Sequence, residues 1–142
     1  MTKRSGFPIN VSSGLDLVRN QRPTGDRPNQ VLGVNPYVKN TNSLQWLTAS
    51  AFDNQTPYNL QQYGSLGYNS LLGPGAFTYD AALQKGFRIT ESSTLTFRGE
   101  AFNVFNHVVF NNPNSTLTSP QFGLITSGST GRAFQLALTY AF

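Results

Sequence analysis

Six carboxylates, one histidine and no cysteine are the whole stock of groups this chain offers for acid–base or metal chemistry. Asp80 and Glu100 are the pair worth weighing as a general acid and base. They fall on one face of neighbouring segments but about two residue pairs apart, and Arg88 and Arg98 share that face. That spacing points to a network of opposite charges on a wet wall rather than to two carboxyls gripping one substrate. His107 follows a strand with no cysteine or carboxylate cluster beside it, so it is read as an interfacial or loop residue and not as a ligand. No Gly-x-Ser-x-Gly nucleophile elbow occurs. Gly128-Ser129-Thr130-Gly131 has the glycines of a phosphate cradle but lacks the lysine and the helix that must follow. The sequons at Asn10, Asn54 and Asn114 are chance matches in an Asn-rich chain. No catalytic residue, metal site or cofactor is therefore expected, and the chain is not read as an enzyme.

Binding chemistry is better supplied. Trp46, Phe52, Tyr58, Tyr63 and Tyr68 stand among Asn and Gln residues in one long segment. Aromatic faces interleaved with amides suit stacking on sugars or lining a ligand entrance. The same rings also suit packing loops against one another, and both readings stay open at this point.

The elements that must carry these residues are strands. Charged residues make up only 11% of the 142-residue chain while Phe and Tyr number 11 and 6. Soluble domains hold about 25% charged residues, so the surface implied here is either long uncharged loops or a face turned to lipid. The net charge of +4 is spread thinly, with Lys3, Arg4, Arg19, Arg22 and Arg27 making a mildly basic N-terminal third. Nucleic-acid proteins concentrate such residues in a patch or stripe, so no nucleic-acid partner is expected. No apolar run reaches the ~20 residues of a membrane helix. Met1 to Val11 contains no apolar stretch of the kind that marks a secretory signal, and an export signal and further chain are expected upstream.

Alternation with period 2 marks strands at about residues 6–13, 76–89, 94–106 and 132–142. Phe7, Ile9 and Val11 share one face of the first, where Pro8 limits pairing. Phe77, Tyr79, Ala81, Leu83, Phe87 and Ile89 share one face of the second, interrupted by Lys85. Leu95, Phe97, Gly99 and Ala101 oppose Thr96, Arg98 and Glu100 on the third. Phe134, Leu136, Leu138, Tyr140 and Phe142 form the stripe of the last. Keeping the stripes of the second and third strands on one side requires an even sum of paired numbers. A loop of Glu91 to Ser93 satisfies this and sets Phe87 against Phe97 and Gln84 against Glu100. The long loops run over 15–75 and 107–131.

A tight turn at one end and long loops at the other is the asymmetry of outer-membrane barrels. If Phe142 ends at the periplasm, the Glu91 turn is periplasmic and both long loops are extracellular. The expected fold is all-β: antiparallel strands of the C-terminal part of a transmembrane barrel. Tyr140 and Phe142 at one rim and Phe77 and Tyr79 at the other would form aromatic girdles. Lys85 lies near enough to the turn to snorkel, and Asp80, Arg88, Arg98 and Glu100 face the lumen.

Three blocks then resemble a known family. Gly73 to Asp80, Lys85 to Glu91 and, most specifically, Glu100 to His107 (with Phe97-Arg98-Gly99 before it) are similar to the C-terminal end of TonB-dependent outer-membrane receptors. The Oar-like class, with a carboxypeptidase-regulatory-like domain, is the nearest group. Thr24 to Asn29, Trp46 to Phe52, Pro120 to Gly123 and Leu138 to Phe142 add to the likeness, which covers nearly the whole chain. The resemblance implies a barrel of about 22 strands around a plug and energy-coupled uptake of a large or scarce solute. It implies outer-membrane lipid, the rest of the barrel and plug, and the barrel-assembly machinery as partners, with the TonB complex reached only through the other parts. It gives Phe142, supported by Tyr140 and Leu138, the role of assembly signal. A chain holding four of these strands would be a piece that cannot transport by itself. The rival reading is a soluble β-sandwich that binds carbohydrate or mediates adhesion, and a third is a small self-associating barrel, since an isolated sheet exposes two edges and an apolar face.

Overall fold

A computed structural model describes residues 1–21, 25–38 and 44–142. Arg22 of the basic segment and Thr24 of the Thr24–Asn29 block lie outside the described residues. The chain divides into a sheet unit, formed by Met1–Arg4, Ala76–Val109 and Ser129–Phe142, and a loop unit, formed by Ser5–Gly75 and Phe110–Gly128.

In the sheet unit, β1 (Thr2–Arg4) pairs antiparallel with β6 (Ala76–Thr78), and β7 (Ala81–Arg88), β8 (Thr94–Phe102) and β9 (Ala133–Ala141) form a three-stranded antiparallel sheet in that order. Alternation dictates the result. Ala81, Leu83 and Phe87 stand opposite Ala101, Gly99 and Leu95, which stand opposite Phe134, Leu136 and Tyr140. Since side chains alternate along each strand, one apolar face runs across all three, interrupted only by Lys85.

The register differs from the expected one by one residue pair. Phe87 faces Leu95, not Phe97, and Gln84 faces Arg98, not Glu100. The reason lies in the turn. Ser93 is nearly buried, its carbonyl accepts the Ile89 N–H at 2.9 Å, and its hydroxyl accepts from the Thr90 hydroxyl at 2.8 Å. The chain therefore closes around Thr90-Glu91-Ser92, one residue earlier than Glu91 to Ser93. The sum of paired numbers stays even, so every side chain keeps its face.

The strands also end earlier than alternation indicates. The expected strand over 76–89 is interrupted at Tyr79-Asp80, and that over 94–106 stops at Phe102. Asn103 takes a left-handed backbone with φ of 52°, a conformation Asn tolerates better than most residues. Its N–H donates to Asp80 Oδ1 at 2.8 Å, and its amide bonds both the N–H and the carbonyl of His107 at 3.0 Å. Val104 N–H donates to the Tyr79 carbonyl at 2.8 Å. The block most specific to the family resemblance is thus a corner, built by one asparagine and one aspartate.

The expected strand at 6–13 belongs to the loop unit, where only Pro8–Ile9 (β2) forms a ladder, with Leu71–Leu72 (β5). Ile9 and Val11 are buried there while Phe7 is exposed. Proline has no N–H to give a longer ladder. The segment read as the long loop 15–75 contains further short elements: β3 (Asn29–Gln30) paired with β4 (Phe52–Asp53), a 3-10 turn at Ala49–Ala51 and a helix, α1, at Gln55–Leu60. Ile9, Val11, Leu47, Ala51, Phe52, Leu66, Leu71 and Phe122 cluster as its core, with Phe52 and Phe122 edge to face at 5.5 Å.

Two knots of hydrogen bonds hold this unit together. Asp26 is 2% exposed, and its carboxylate accepts the Leu17 N–H at 2.6 Å while its carbonyl accepts the Ser13 N–H at 2.8 Å. The next residues continue the pattern. Arg27 and Pro28 carbonyls accept from Gly64 and Leu66, and Asn29 Oδ1 accepts from Ser65. The second knot is Gly123. Its carbonyl accepts the Trp46 N–H at 2.7 Å and its N–H donates to Asn114 at 2.7 Å. With φ of 74°, and the Leu47 carbonyl 2.1 Å from where a Cβ would sit, only glycine fits.

Candidate membrane-spanning face

The apolar stripe of β7, β8 and β9 is the feature of the sheet unit that a water-soluble domain does not leave open. Leu136 is 74% exposed, and Leu83, Phe87, Phe134, Leu138 and Tyr140 are all exposed beside or opposite it. Burying one such side chain is worth about 1.5–3 kcal/mol, and monomeric soluble proteins seldom expose contiguous apolar patches beyond a few hundred Å². The strands of 8, 9 and 9 residues are close to the ~9–11 that cross a bilayer when tilted. Lys85 sits on this face opposite Phe97, three residues from Arg88 at the turn end of the strand. A lysine stem there can carry its ammonium toward the turn.

The reverse face is largely polar, carrying Arg88, Arg98 and Glu100 among Gln and Thr residues. Arg98 and Glu100, two apart on β8 and so on the same side, form an ion pair in which the guanidinium Nε also donates to Glu100 Oε1 at 3.1 Å. Gln135 lies opposite Glu100, Gln84 opposite Arg98 and Thr94 opposite Arg88. Of the four charges read as one network, the structure brings these two together. Asp80 instead accepts the Asn103 N–H at the corner, and Arg88 stands at the turn end. No group of three or more His, Asp or Glu residues is placed to hold a metal among the described residues.

Aromatic residues mark both ends of the sheet. At the turn end Tyr140 and Phe142 stack with centroids 5.9 Å apart, and Phe142 is 95% exposed. At the far end Phe105 contacts Phe77 at 5.9 Å and Tyr79 at 5.6 Å, and His107 meets Phe77 edge-on at 6.3 Å. Phe105 and His107 join this cluster because the Asn103 corner folds them back, which alternation alone does not reveal. The chain leaves the sheet unit after Arg4 and Val109 and returns at Ala76 and Ser129.

The five loop aromatics separate into two kinds. Phe52 is in the core, and Trp46 packs against it, edge-on to Tyr37 at 6.2 Å, with its indole N–H on the Leu72 carbonyl at 2.9 Å. Tyr58, Tyr63 and Tyr68 remain exposed. Reading by residue type missed Asp26 and Gly123 as the residues that organise this unit. Their signal was present only in the Gly-Asp-Arg-Pro and Gln-Phe-Gly stretches of the family likeness.

The chain has no significant match among curated proteins or among solved structures. Residues 1–135 match the family described as outer membrane beta barrel domain, nearly the full length of the chain. Antiparallel strands, a continuous uncovered apolar face and aromatic ends agree with that match: the chain belongs to the outer membrane beta barrel domain family.

Proposed function

We propose that this chain is the C-terminal barrel segment of a TonB-dependent receptor of the Oar-like class, located in the bacterial outer membrane. In this reading it is a piece of a transporter for a large or scarce solute and does not transport by itself. The observation that carries the membrane placement is the apolar face shared by three strands in one register, with an ion pair and amides on its reverse. Lipid covers the first face. Asp80, Arg88, Arg98 and Glu100 line or border the lumen beside the plug. The Thr90 turn is periplasmic and the long segments 15–75 and 107–131 are extracellular, since short turns face the periplasm in such barrels. The TonB complex acts through the plug, and the barrel-assembly machinery reads Phe142 with Tyr140 and Leu138. No residue has a catalytic role, and no cofactor is required.

Purification with and without detergent tests the placement. The chain should require detergent to stay monodisperse, and a water-soluble monomer that binds none would overturn it. Deleting Phe142 from the parent protein tests the assembly role, which fails if outer-membrane levels are unchanged. The receptor class is tested by the reading frame upstream of Met1, which should encode a plug and the remaining strands.

A further inference from the structure

One cleft in the loop unit combines features the barrel does not need. It has a volume of about 300 Å³ and is lined by Asn20, Gly25, Asp26, Arg27, Tyr63 and Tyr68. That is the lower end of the roughly 300–1,000 Å³ of small-molecule sites. Tyr63 and Tyr68 are 61% and 64% exposed, yet neither ring hangs free. The Arg27 guanidinium lies 4.0 Å from the centre of the Tyr68 ring and donates from Nη1 to the Leu66 carbonyl at 2.6 Å. Asn20 Nδ2 donates to the Tyr63 hydroxyl at 3.3 Å. Arg27 is set in place by the buried Asp26 beside it and by its own carbonyl, which accepts the Gly64 N–H at 3.0 Å. Two rings are thus held in position while presenting apolar surface to solvent. Such preorganisation lowers the entropy lost when a ligand docks.

The chemistry of the lining selects the ligand. Among the described residues the cleft has one cation, Arg27, and one anion, Asp26, so it favours no net charge. Its rings suit a ligand with an apolar face, and its guanidinium, amide and phenol groups suit one with hydroxyls at its edges. A pyranose has both, since axial C–H bonds make one face apolar while equatorial hydroxyls ring its rim. We infer that the Asn20–Arg27–Tyr63–Tyr68 cleft binds a neutral hexopyranose unit of a glycan, with the tyrosines as stacking platforms. This rests on the loop unit alone and stands or falls independently of the membrane placement and the receptor class.

The test uses the full chain in an amine-oxide detergent, because maltoside detergents would compete. Maltose, cellobiose and N,N′-diacetylchitobiose are titrated by saturation-transfer difference NMR, with glucuronate and a neutral tripeptide as comparisons. At least one neutral disaccharide should give saturable transfer to its ring C–H protons with a dissociation constant of about 1–10 mM. Tyr68→Ala and Tyr63→Ala should each weaken it roughly tenfold or more, as loss of a stacking face implies. Tyr68→Phe should retain it, as should Tyr58→Ala, whose ring is exposed outside the cleft. Should Tyr68→Ala fail to fold, Tyr63→Ala carries the comparison. The inference is overturned if no neutral disaccharide saturates, if both alanine variants bind as the parent does, or if glucuronate or the tripeptide binds in preference.

Discussion

The sheet unit and the loop unit solve opposite problems with the same kinds of residue. In the sheet, Leu83, Phe87, Leu136 and Leu138 point away from the protein, and the backbone is paired in regular ladders, β8 with β7 on one side and β9 on the other. In the loop unit, Leu17, Leu47, Leu66 and Val11 are fully buried, and ladders are only two residues long. Its backbone groups are instead met one at a time, by the Asp26 carboxylate, the Asn29 amide and the Gly123 peptide. Where lipid is the solvent, regular pairing is obligatory because no water can satisfy a stray N–H. Where water is nearby, an irregular chain can stand if a few side chains substitute for the ladder. The contrast teaches that apolar residues locate the solvent only once the backbone's partners are known.

The sharpest way to break that contrast is to put a charge on the outward face. Leu136→Arg should cost about 4 kcal/mol or more, combining a buried cation near mid-bilayer with a lost leucine. Urea titration of the chain folded into lipid vesicles would read it. Gln135→Arg, one residue away and on the reverse face, should cost little. Next in size is Gly123→Ala, which forces a side chain against the Leu47 carbonyl in a left-handed backbone. A loss of about 2–4 kcal/mol is expected, read by hydrogen exchange as lost protection at Trp46 and Leu47 with β7 to β9 unaffected. Equal loss in both units would show that they are not separately stabilised.

Lys85→Leu runs the other way. Removing a cation from the outward face near its turn end should stabilise the membrane-inserted chain by up to about 1 kcal/mol, visible in the same titration. A decrease would place Lys85 against an anion rather than among headgroups. The smallest effect belongs to Asp53 in the loop unit, at the N-terminal end of α1. Its carboxyl is held below the usual range by the Thr56 hydroxyl first; the cost of burial opposes this next, and the N–H groups of Thr56 and Gln55 and the Asn29 side chain lower it further. A lowered folded value means the stabilisation is present above the ordinary carboxylate value of about 3.9 and is lost as pH falls through the folded one. The Thr56 and Gln55 amide shifts should move below pH 4 in the parent, roughly, and stay flat in Asp53→Asn.

Those experiments also track how far the sequence alone reaches. The faces of β7, β8 and β9 were legible because period 2 survives any even shift of register. The register was not, since Thr90, Ser92, Ser93 and Thr94 offer several hydroxyl-rich places to turn, and only the burial of Ser93 chooses among them. The end of β8 was hidden because an asparagine at positive φ leaves no mark on hydrophobic alternation. The loop unit was nearly opaque. Its core gathers Val11, Leu17, Leu47, Leu66 and Phe122 from distant stretches with no common period. The cleft was legible only as residue type: Tyr63 and Tyr68 stood out, but Asn20 and Arg27 had no reason to be chosen until the fold put them beside those rings.

The bonds that organise the loop unit carry one more consequence. The Asp26 and Gly123 knots join a charge to a backbone dipole or one neutral group to another, at contact distance and partly out of water. Dissolved ions weaken attractions between exposed charges separated by more than about 8–10 Å at ordinary ionic strength, and buried short contacts far less. A unit assembled this way keeps its shape across a wide range of ionic strength.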